Sequence, residues 1–346
     1  MASIRDIARI AGASPASVSR ILNNDPTFHI NAETRKRVIE VAKKLHYSKD
    51  RKRRGPKQKD PQLSLALILR YNKEREINDP YFLNMHIGIN QEAKKWHLKV
   101  DQPFNAEDPV KDWNILANYG AVIIEGQMTP AAIKHIQSIN PNTIFIDVNT
   151  NIFGCNIVRN DFIEEITYIL DTLYNLGHKN IVYIGGKSEI IDLTGNIVSK
   201  QNDLRENGYI GWMKMHNLDK YCKSFITDWS TASALEAGKK ILQLKDRPTA
   251  VIVGSDPMAL GVYKAFNDAG INIPNDISIV SFDDVELNRY LTPTLSSVYM
   301  NTNEMGRIAV RLAKDLITEA VKIPLTITCH SQLNIRDSII SIEKER

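Results

Sequence analysis

The sequence predicts a small all-α head at the N-terminus, followed by a two-lobed α/β body with parallel sheets. The chain has 346 residues, enough for two or three domains. Its charge is divided unevenly, because residues 1–60 carry a net charge of +9 and the remainder carries −5. From residue 63 onward, short apolar runs alternate with amphipathic stretches, which is typical of parallel sheets covered by helices on both faces.

The composition is that of a globular chain, with 43% hydrophobic and 24% charged residues. No apolar run reaches the roughly 18–20 residues that a membrane span needs. The charged start of the chain is unlike a secretory signal peptide, so we expect a cytoplasmic protein with no membrane partner. The cysteines are odd in number and far apart in the sequence, which favours free thiols: Cys155, Cys222 and Cys329. We expect neither a metal nor a cofactor.

The first helix is predicted by apolar residues that recur at helical spacing: Ile4, Ile7, Ala8 and Ala11. Ser3 can cap its N-terminus, and Asp6 three residues later fits a capping box. Gly12 follows the helix, where glycine adopts a left-handed backbone at little cost.

The second helix has a strong start signal, because Ser14 is a good N-cap and Pro15 suits the first helical position. Its buried face is predicted to hold Val18, Ile21 and Leu22. The residues left on its outward face are Pro15, Ala16, Ser17, Ser19 and Arg20. A third helix is capped by Asn31 and repeats the buried spacing at Val38, Val41, Ala42 and Leu45.

Two short helices joined by a three-residue turn that contains glycine match a helix-turn-helix, whose second helix enters the major groove of DNA. The alternative is a three-helix bundle that binds protein or nothing. Small outward residues beside Arg20, within a segment of net charge +9, favour the DNA-binding interpretation.

The run IRDIARIAGASPASVSRILN, followed by ETRKRVIEVAKKLHY, resembles the head of the lactose/galactose repressor (LacI/GalR) family. The resemblance implies that the second helix reads operator bases through Pro15, Ala16, Ser19 and Arg20. Pro15 and Ala16 cannot donate hydrogen bonds and would read shape and thymine methyl groups, whereas Arg20 would read a guanine. The resemblance also implies phosphate contacts, which suit polar side chains and helix N-termini, at Ser3, Ser14, Asn23, Asn31, Thr34 and Tyr47.

The segment after Tyr47 departs from the family, whose hinge helix inserts a leucine into the minor groove. Here the sequence SKDRKRRGPKQKDPQ has no leucine before Leu63, and it contains Gly55 and Pro56, which resist helix formation. It is either a disordered tether or a basic arm that lies in or near the minor groove. In the second case the phosphate contacts would include Arg51, Arg53 and Arg54.

In the body, we expect strands at 63–69, 121–125, 143–148, 181–184, 250–253 and 277–282. We expect helices at 83–96, 130–138, 161–176, 201–217, 231–244 and 256–269. The runs NLGHKNIVYIGG, VGSDPMALGVYKAFNDAGINIPNDISIVSFDD and LTPTLSSV resemble the ligand-binding core of the same family, which is similar to periplasmic sugar-binding proteins.

The predicted organisation has four parts: a DNA-binding domain at 1–47, a basic linker at 48–62, an effector-binding and dimerisation domain at 63–337, and a tail at 338–346. Within the body, the first lobe comprises about 63–157 plus 288–320. The second lobe comprises about 158–287 plus 321–337.

The resemblance implies a sugar effector between the lobes, held by polar and aromatic side chains: Asp79, Tyr81, Phe82, Asp147, Asp161, Arg205, Trp229, Asp256 and Asp283. Trp229 is either a stacking platform for the sugar or a core residue. Aspartates at strand ends also cap the helices that follow them. Asp283 and Asp284 are neighbours at a strand end and should point to opposite sides, so we do not expect a catalytic carboxylate pair.

We therefore expect a cytoplasmic, nucleoid-associated homodimer that binds a pseudo-palindromic operator as a transcriptional repressor and leaves it when a sugar binds. The stretch RYNKEREINDPYF is similar to the branch of the family that regulates β-galactosidase operons, which favours galactose or a β-galactoside. Alternatives are a different sugar or a nucleoside, and a co-repressor-dependent or activating regulator. The sequence contains no motif of a hydrolase, a nucleotide-binding enzyme or a zinc protease, which argues against an enzyme.

Overall fold

A computed structural model describes residues 4–23, 25, 28–45, 63–70, 79–109, 111–148 and 152–342 of the chain. The chain separates into two compact units, residues 1–58 and 59–346. The predicted linker 48–62 lies wholly outside the described residues. Among the described helices, none combines the length and the apolar character that a bilayer span requires.

The head consists of three helices, α1 (Ile4–Ala11), α2 (Pro15–Leu22) and α3 (Ala32–Lys44). Gly12, in the turn between α1 and α2, has a φ of 61°, which confirms the left-handed conformation predicted for it. The helices enclose a small apolar core, whose members lie on the predicted faces: Ile7, Ala8, Ala11, Val18, Ile21, Val38 and Ala42.

The first lobe of the body is a six-stranded parallel sheet in the order β12-β5-β4-β3-β1-β2. Its strands are β1 (Ser64–Ile68), β2 (Lys99–Asp101), β3 (Ala121–Glu125), β4 (Thr143–Ile146), β5 (Asn156–Asn160) and β12 (Thr326–Cys329). Its helices are α4 (Pro80–Lys95), α5 (Pro130–Ile139) and α10 (Thr302–Ile317). The central strands β1, β3 and β4 are buried along their whole length, as a sheet covered on both faces requires.

The second lobe is a seven-stranded sheet in the order β13-β11-β10-β9-β6-β7, with β8 also pairing with β6. Its strands are β6 (Ile181–Ile191), β7 (Ile197–Asn202), β8 (Lys223–Thr227), β9 (Ala250–Val253), β10 (Ser278–Asp283), β11 (Ser296–Tyr299) and β13 (Gln332–Asn334). Its helices are α6 (Phe162–Asn175), α7 (Leu204–Met215), α8 (Thr231–Leu242) and α9 (Asp256–Asp268). Only β7 and β13 run antiparallel to their neighbours within this described sheet.

The lobe boundaries differ from those expected in three places. β5 pairs with β4 and with β12 in the first sheet, so 158–160 belong to the first lobe and not to the second. β11 pairs in parallel with β10, so 296–299 belong to the second lobe and not to the first. β12 pairs in parallel with β5, so 326–329 belong to the first lobe and not to the second. The chain therefore returns to the first lobe at α10, after β11, because β11 completes the second sheet before the crossover.

The predicted tail at 338–346 is not a separate segment, because its described part packs on the second lobe. Ser338 is fully buried, and its hydroxyl donates to the Ile279 carbonyl at 2.6 Å. The Ile342 amide donates to the Leu176 carbonyl at 2.8 Å.

The longest departure from the expected elements is at β6, which continues to Ile191 instead of ending at residue 184. Beyond Gly186 it pairs with β7, and together they form the β6–β7 hairpin (residues 187–202). Every residue of β7 is exposed. Its sequence, IVSKQN, lacks the alternation of apolar and polar residues that would predict a half-buried strand. The helix α10 also lies outside the expected set, although its buried residues follow helical spacing.

Two glycines bring α4 and α10 into backbone contact on one face of the first lobe. A Cβ atom at Gly88 would lie 2.0 Å from the Asn303 carbonyl oxygen, and one at Gly306 would lie 2.2 Å from the Met85 carbonyl oxygen. Side chains larger than hydrogen would push the two helices apart.

We therefore expect Gly88→Ala to lower the free energy of unfolding of the body by about 3 kcal/mol through overpacking. Urea unfolding followed by tryptophan fluorescence measures this, because all four tryptophans lie in the body. The matched control is Gly211→Ala on α7, where a Cβ meets nothing within 4 Å and a gain of about 0.4–1 kcal/mol is expected. Equal stabilities of the two variants would contradict the close helix contact.

Candidate functional site

The N-terminus of α2 is organised as predicted. The Ser14 hydroxyl accepts a hydrogen bond from the Ser17 amide at 3.0 Å, and Pro15 occupies the first helical turn. Pro15, Ala16 and Arg20 are exposed, and Ser19 is half-buried. The outward face of α2 is therefore small near its start and cationic near its end.

Arg20 is the cationic side chain of that face. Its side chain is 58% exposed, and its Nε lies 3.8 Å from an Asp25 carboxylate oxygen. The guanidinium lies 5.4 Å from the centre of the Phe28 ring. These contacts orient the guanidinium while leaving most of it accessible to a partner.

The predicted phosphate-contact residues that the structure describes lie at helix ends. Asn31 caps α3 by accepting a hydrogen bond from the Glu33 amide at 2.9 Å, and Thr34 is half-buried in the first turn. Asn23 is exposed at the end of α2 and donates to the Ser19 hydroxyl at 3.5 Å. Five predicted residues lie outside the described residues: Ser3, Tyr47, Arg51, Arg53 and Arg54.

In the body, a cavity of about 900 Å³ is lined by residues of both lobes. Residues at the carboxyl ends of β1, β3, β4, β9 and β10 line it, and ligands of parallel α/β sheets bind at these strand ends. Seven of the nine residues predicted for the effector line this cavity: Asp79, Tyr81, Phe82, Asp147, Arg205, Trp229 and Asp283.

Arg205 is the buried cation of the cavity. Its Nε and Nη2 donate to the two carboxylate oxygens of Asp203 at 2.6 and 3.1 Å, and its Nη1 donates to the Gly254 carbonyl at 2.8 Å. Burial opposes both charges, but their mutual attraction outweighs it, so the pKa of Arg205 is raised and that of Asp203 is lowered. Aromatic rings lie around the guanidinium, at 4.2 Å for Phe162 and 4.7 Å for Trp229.

Trp229 lies at the edge of the second lobe's core with part of its ring on the cavity. Its Nε1 donates to the Lys187 carbonyl at 3.1 Å, and its backbone is left-handed, with a φ of 68°. A Cβ at Gly186 would lie 2.2 Å from that Nε1, so glycine is needed beneath the indole. Of the two alternatives for Trp229, the geometry favours a ring held rigidly at the cavity wall.

Asp147 and Tyr81 form the polar wall on the side of the first lobe. The Tyr81 hydroxyl donates to an Asp147 carboxylate oxygen at 2.8 Å and accepts from the side-chain amide of Asn160 at 3.1 Å. Burial raises the pKa of Asp147 to about 6, although the hydrogen bond from Tyr81 and the charge of Arg205 act in the opposite direction. Asp79 caps α4 through the Tyr81 amide at 3.0 Å, which places Tyr81 and Phe82 at the cavity.

Asp283 and Asp284 point to different partners, as predicted. An Asp283 carboxylate oxygen lies at the cavity and accepts from the Asp256 amide at 3.4 Å. Asp284 pairs with Arg336 at 2.6 Å and accepts from Asn334 at 2.7 Å. Both residues have positive φ, 105° and 52°, so the chain turns sharply between them.

Asp256 does not line the cavity, in contrast to its predicted role. Its carboxylate is buried beneath the surface and accepts four hydrogen bonds, from the side chains of Ser281, Ser297 and Asn288 and from the Val285 amide. Burial raises the pKa of Asp256. The group ties the loop after β10 to the start of α9, and Ser255, whose side chain makes no capping bond, reaches the cavity instead.

Asp161 is also outside the lining. Its carboxylate accepts from the Glu164 amide at 3.1 Å and so caps α6, which is the alternative noted for strand-end aspartates.

Sequence reasoning missed several polar residues of the cavity. Glu125, at the end of β3, accepts from His86 Nε2 at 2.8 Å, while its other carboxylate oxygen is buried without a hydrogen-bond partner among the described residues. Burial raises the pKa of Glu125, and His86 lowers it in part. The signal for Glu125 was a carboxylate that ends a wholly apolar strand. The other missed residues include Arg70 and Gln127 of the first lobe and Lys187, Glu189 and Lys200 of the β6–β7 hairpin.

The arrangement suits the binding of a polyhydroxylated ligand. An aromatic ring can stack on the apolar face of a sugar, and carboxylates and a guanidinium can pair with hydroxyls. Among the described residues, no group of three or more His, Cys, Asp and Glu side chains could hold a metal ion.

Comparisons with known proteins identify both the helical head and the α/β body. Residues 3–50 match the model of the bacterial regulatory proteins of the lacI family, and residues 170–339 match that of a periplasmic binding protein-like domain. The HTH-type transcriptional regulator GalR of Lacticaseibacillus casei is 32% identical over 98% of this chain and 99% of its own. The HTH-type transcriptional regulator LacR of Lactobacillus helveticus is 29% identical over 99% of this chain and 100% of its own.

Among solved structures, the lac repressor dimer bound to operator and the anti-inducer ONPF has a TM-score of 0.69 to this chain. The two are 22% identical, and the match covers 98% of this chain and 99% of that one. At this identity, the likeness shows the shared fold of a helical head and a two-lobed core.

The raised pKa of Asp147 predicts a pH-dependent stability. The folded state holds the proton more tightly than the unfolded chain does, so this group stabilises the fold at low pH and loses that contribution as the pH rises through about 6. Asp147→Asn removes the titration, and asparagine tolerates the left-handed φ of 59°. The free energy of unfolding of the variant minus that of wild type should increase by about 1–2 kcal/mol from pH 5 to pH 8, allowing for partial solvent screening.

Urea unfolding at the two pH values measures this difference. The control Asn267→Ala, which removes no titratable group from the exposed end of α9, should differ from wild type by the same amount at both pH values. A pH-independent effect of Asp147→Asn would contradict a raised pKa for this carboxyl.

Proposed function

Because this chain belongs to the LacI family of bacterial regulatory proteins, we propose that it represses an operon for the use of galactose or a β-galactoside. A sugar inducer that binds between the lobes would release it from its operator. The chain is a sugar-responsive transcriptional regulator with a DNA-binding head, and its relatives are regulators and not enzymes. The names of the two relatives, GalR and LacR, support the choice of galactose or a galactoside.

One observation carries the choice of ligand class: a fixed indole ring and a buried Arg205–Asp203 pair share one cavity with the Asp147 and Asp283 carboxyls. The lining holds seven carboxyl side chains and four cationic ones. Each of the four cations pairs with a carboxylate: Arg70 and Lys200 with Glu189, Lys187 with Glu206, and Arg205 with Asp203. Because these cations are already paired, a phosphate or carboxylate group on the ligand would have to compete with a protein carboxylate, which favours a neutral sugar over a sugar phosphate.

On the DNA side, α2 would lie in the major groove with Pro15 and Ala16 against base edges and Arg20 on a guanine. Ser14, Asn23, Asn31 and Thr34 would contact phosphates at the capped helix ends. A homodimer would place two heads on a pseudo-palindromic operator. The apolar side chains of Leu83 and Ile87, exposed on α4, support an association through the body.

The sugar would act by shifting a population between two arrangements of the lobes, only one of which fits both half-sites. The test is a fluorescence anisotropy titration of operator DNA from the chain's own upstream region, with and without galactose and galactosides. Release by one of these sugars supports the proposal. Tighter DNA binding with sugar would instead indicate co-repression, and release only by other sugars or nucleosides would contradict the galactoside assignment.

For the head, Arg20→Ala should weaken operator binding by about 1–3 kcal/mol and relax the preference at one base pair. Anisotropy titrations against a panel of single-base operator variants measure both effects. The matched control is Arg9→Ala on α1, whose exposed side chain should alter affinity evenly across the panel. Unchanged base preference in Arg20→Ala would exclude Arg20 as the base reader.

For the cavity, Trp229→Ala should raise the sugar concentration for half-release about tenfold, because the stacking surface is lost, while sugar-free operator binding persists. Trp96→Ala, on the outer end of α4 and outside the cavity lining, is the control and should leave the sugar response intact. Loss of operator binding in Trp229→Ala would identify Trp229 as a core residue.

A further inference from the structure

The β6–β7 hairpin links the two lobes beside the cavity. The first half of β6 lies in the second sheet between β8 and β9. The far end of the hairpin docks on the first lobe: the Thr129 amide donates to the Ile191 carbonyl at 2.9 Å, and Trp113 Nε1 donates to the Leu193 carbonyl at 2.9 Å. Ile191 is buried within the core of the first lobe. The hairpin is therefore a fixed wall of the cavity.

The side of this wall that faces the cavity carries charged side chains that are held by ion pairs and hydrogen bonds. Glu189 is held from two sides: Arg70 Nη2 donates to one carboxylate oxygen at 3.1 Å, and Lys200 Nζ lies 2.9 Å from the other. Lys187 is held by Asn202 at 2.7 Å and Glu206 at 3.0 Å. Arg70, Lys187, Glu189 and Lys200 all line the cavity.

The cavity therefore has two groups of polar side chains. One surrounds Trp229 and Arg205, and the other belongs to the hairpin. The two groups meet at the base of the hairpin, where Trp229 donates to the Lys187 carbonyl and the Ser188 hydroxyl donates to Asp203 at 3.0 Å. The volume of about 900 Å³ is near the upper end of the roughly 300–1,000 Å³ found for small-molecule sites, which is more than one sugar ring fills.

We propose that the hairpin forms a second subsite, so that the regulator selects a disaccharide over a monosaccharide, with Glu189 and Lys200 as specificity-determining residues. One ring stacks on Trp229, and the second ring lies against the hairpin. There, the Glu189 carboxylate accepts hydrogen bonds from its hydroxyls and the Lys200 ammonium donates to them. This inference rests on the proposed function, because it requires that the cavity binds a neutral sugar.

The charge balance of the wall fits this role. Glu189 lies between Arg70 and Lys200, and Arg70 also lies 3.8 Å from a Glu107 carboxylate oxygen. Two cations therefore face two carboxylates, and a neutral ring can bind to Glu189 and Lys200 without adding an unpaired charge. Lys200 can be changed without disrupting the fold, because its side chain is 58% exposed and Glu189 keeps its contact with Arg70. A hairpin that served only as a structural connection would not distinguish one ring from two.

The test is isothermal calorimetry of the full chain with galactose, with lactose and with melibiose, which present the same ring in a β- and an α-linked disaccharide. Wild type should bind at least one disaccharide about tenfold or more tightly than galactose. Lys200→Ala and Lys200→Met should weaken disaccharide binding about three- to tenfold, as the loss of one or two hydrogen bonds implies, and leave galactose binding unchanged within about twofold.

The matched control is Lys239→Ala, which removes an equally exposed, ion-paired lysine on α8 and should change no affinity. Equal weakening of galactose and disaccharide in the Lys200 variants, or equal affinity of wild type for both ligands, would overturn the hairpin subsite while leaving the sugar response intact. Absence of binding to all three sugars, together with no release of operator DNA by any of them, would overturn the proposed galactoside function and the subsite with it.

Discussion

The cavity depends on one interaction, the buried pair of Arg205 and Asp203. A guanidinium withdrawn from water is strongly unfavourable unless its charge and its N–H groups are matched, and here a bidentate carboxylate and the Gly254 carbonyl do so. Phe162 and Trp229 then pack on its faces, so the position of the indole follows from the position of the cation. The positive charge of Arg205 also lowers the pKa values of the Asp147 and Asp283 carboxyls, which burial raises. One arginine therefore influences carboxyl groups contributed by both lobes.

The head could be predicted closely from the sequence, because local signals determine it. Ser14 and Pro15 start α2, Asn31 starts α3, and Gly12 adopts the left-handed conformation its position required. The central strands of the body were predicted for the same kind of reason, since continuous apolar runs have few alternatives.

The remaining parts of the body depend on pairing between distant segments, which sequence patterns do not report. β7 has no apolar face, because it is an exposed strand held by β6. β11 and β12 exchange lobes relative to the expected boundaries, because short strands carry no information on which sheet they join. At the cavity, Asp256 and Ser255 are adjacent, and only the fold decides that the serine faces the cavity while the aspartate holds the loop after β10.

The docked hairpin also affects how much order a ligand must impose. Lobes joined only by crossover segments would be free to separate, and a ligand would have to restrict that motion at a cost in entropy. Here Ile191, Leu193 and the Glu189–Arg70 pair already hold the wall of one lobe against the other. The site is thus partly preorganised in the free protein, so a larger share of the contact energy is available for affinity and for shifting the balance between DNA-bound and released forms.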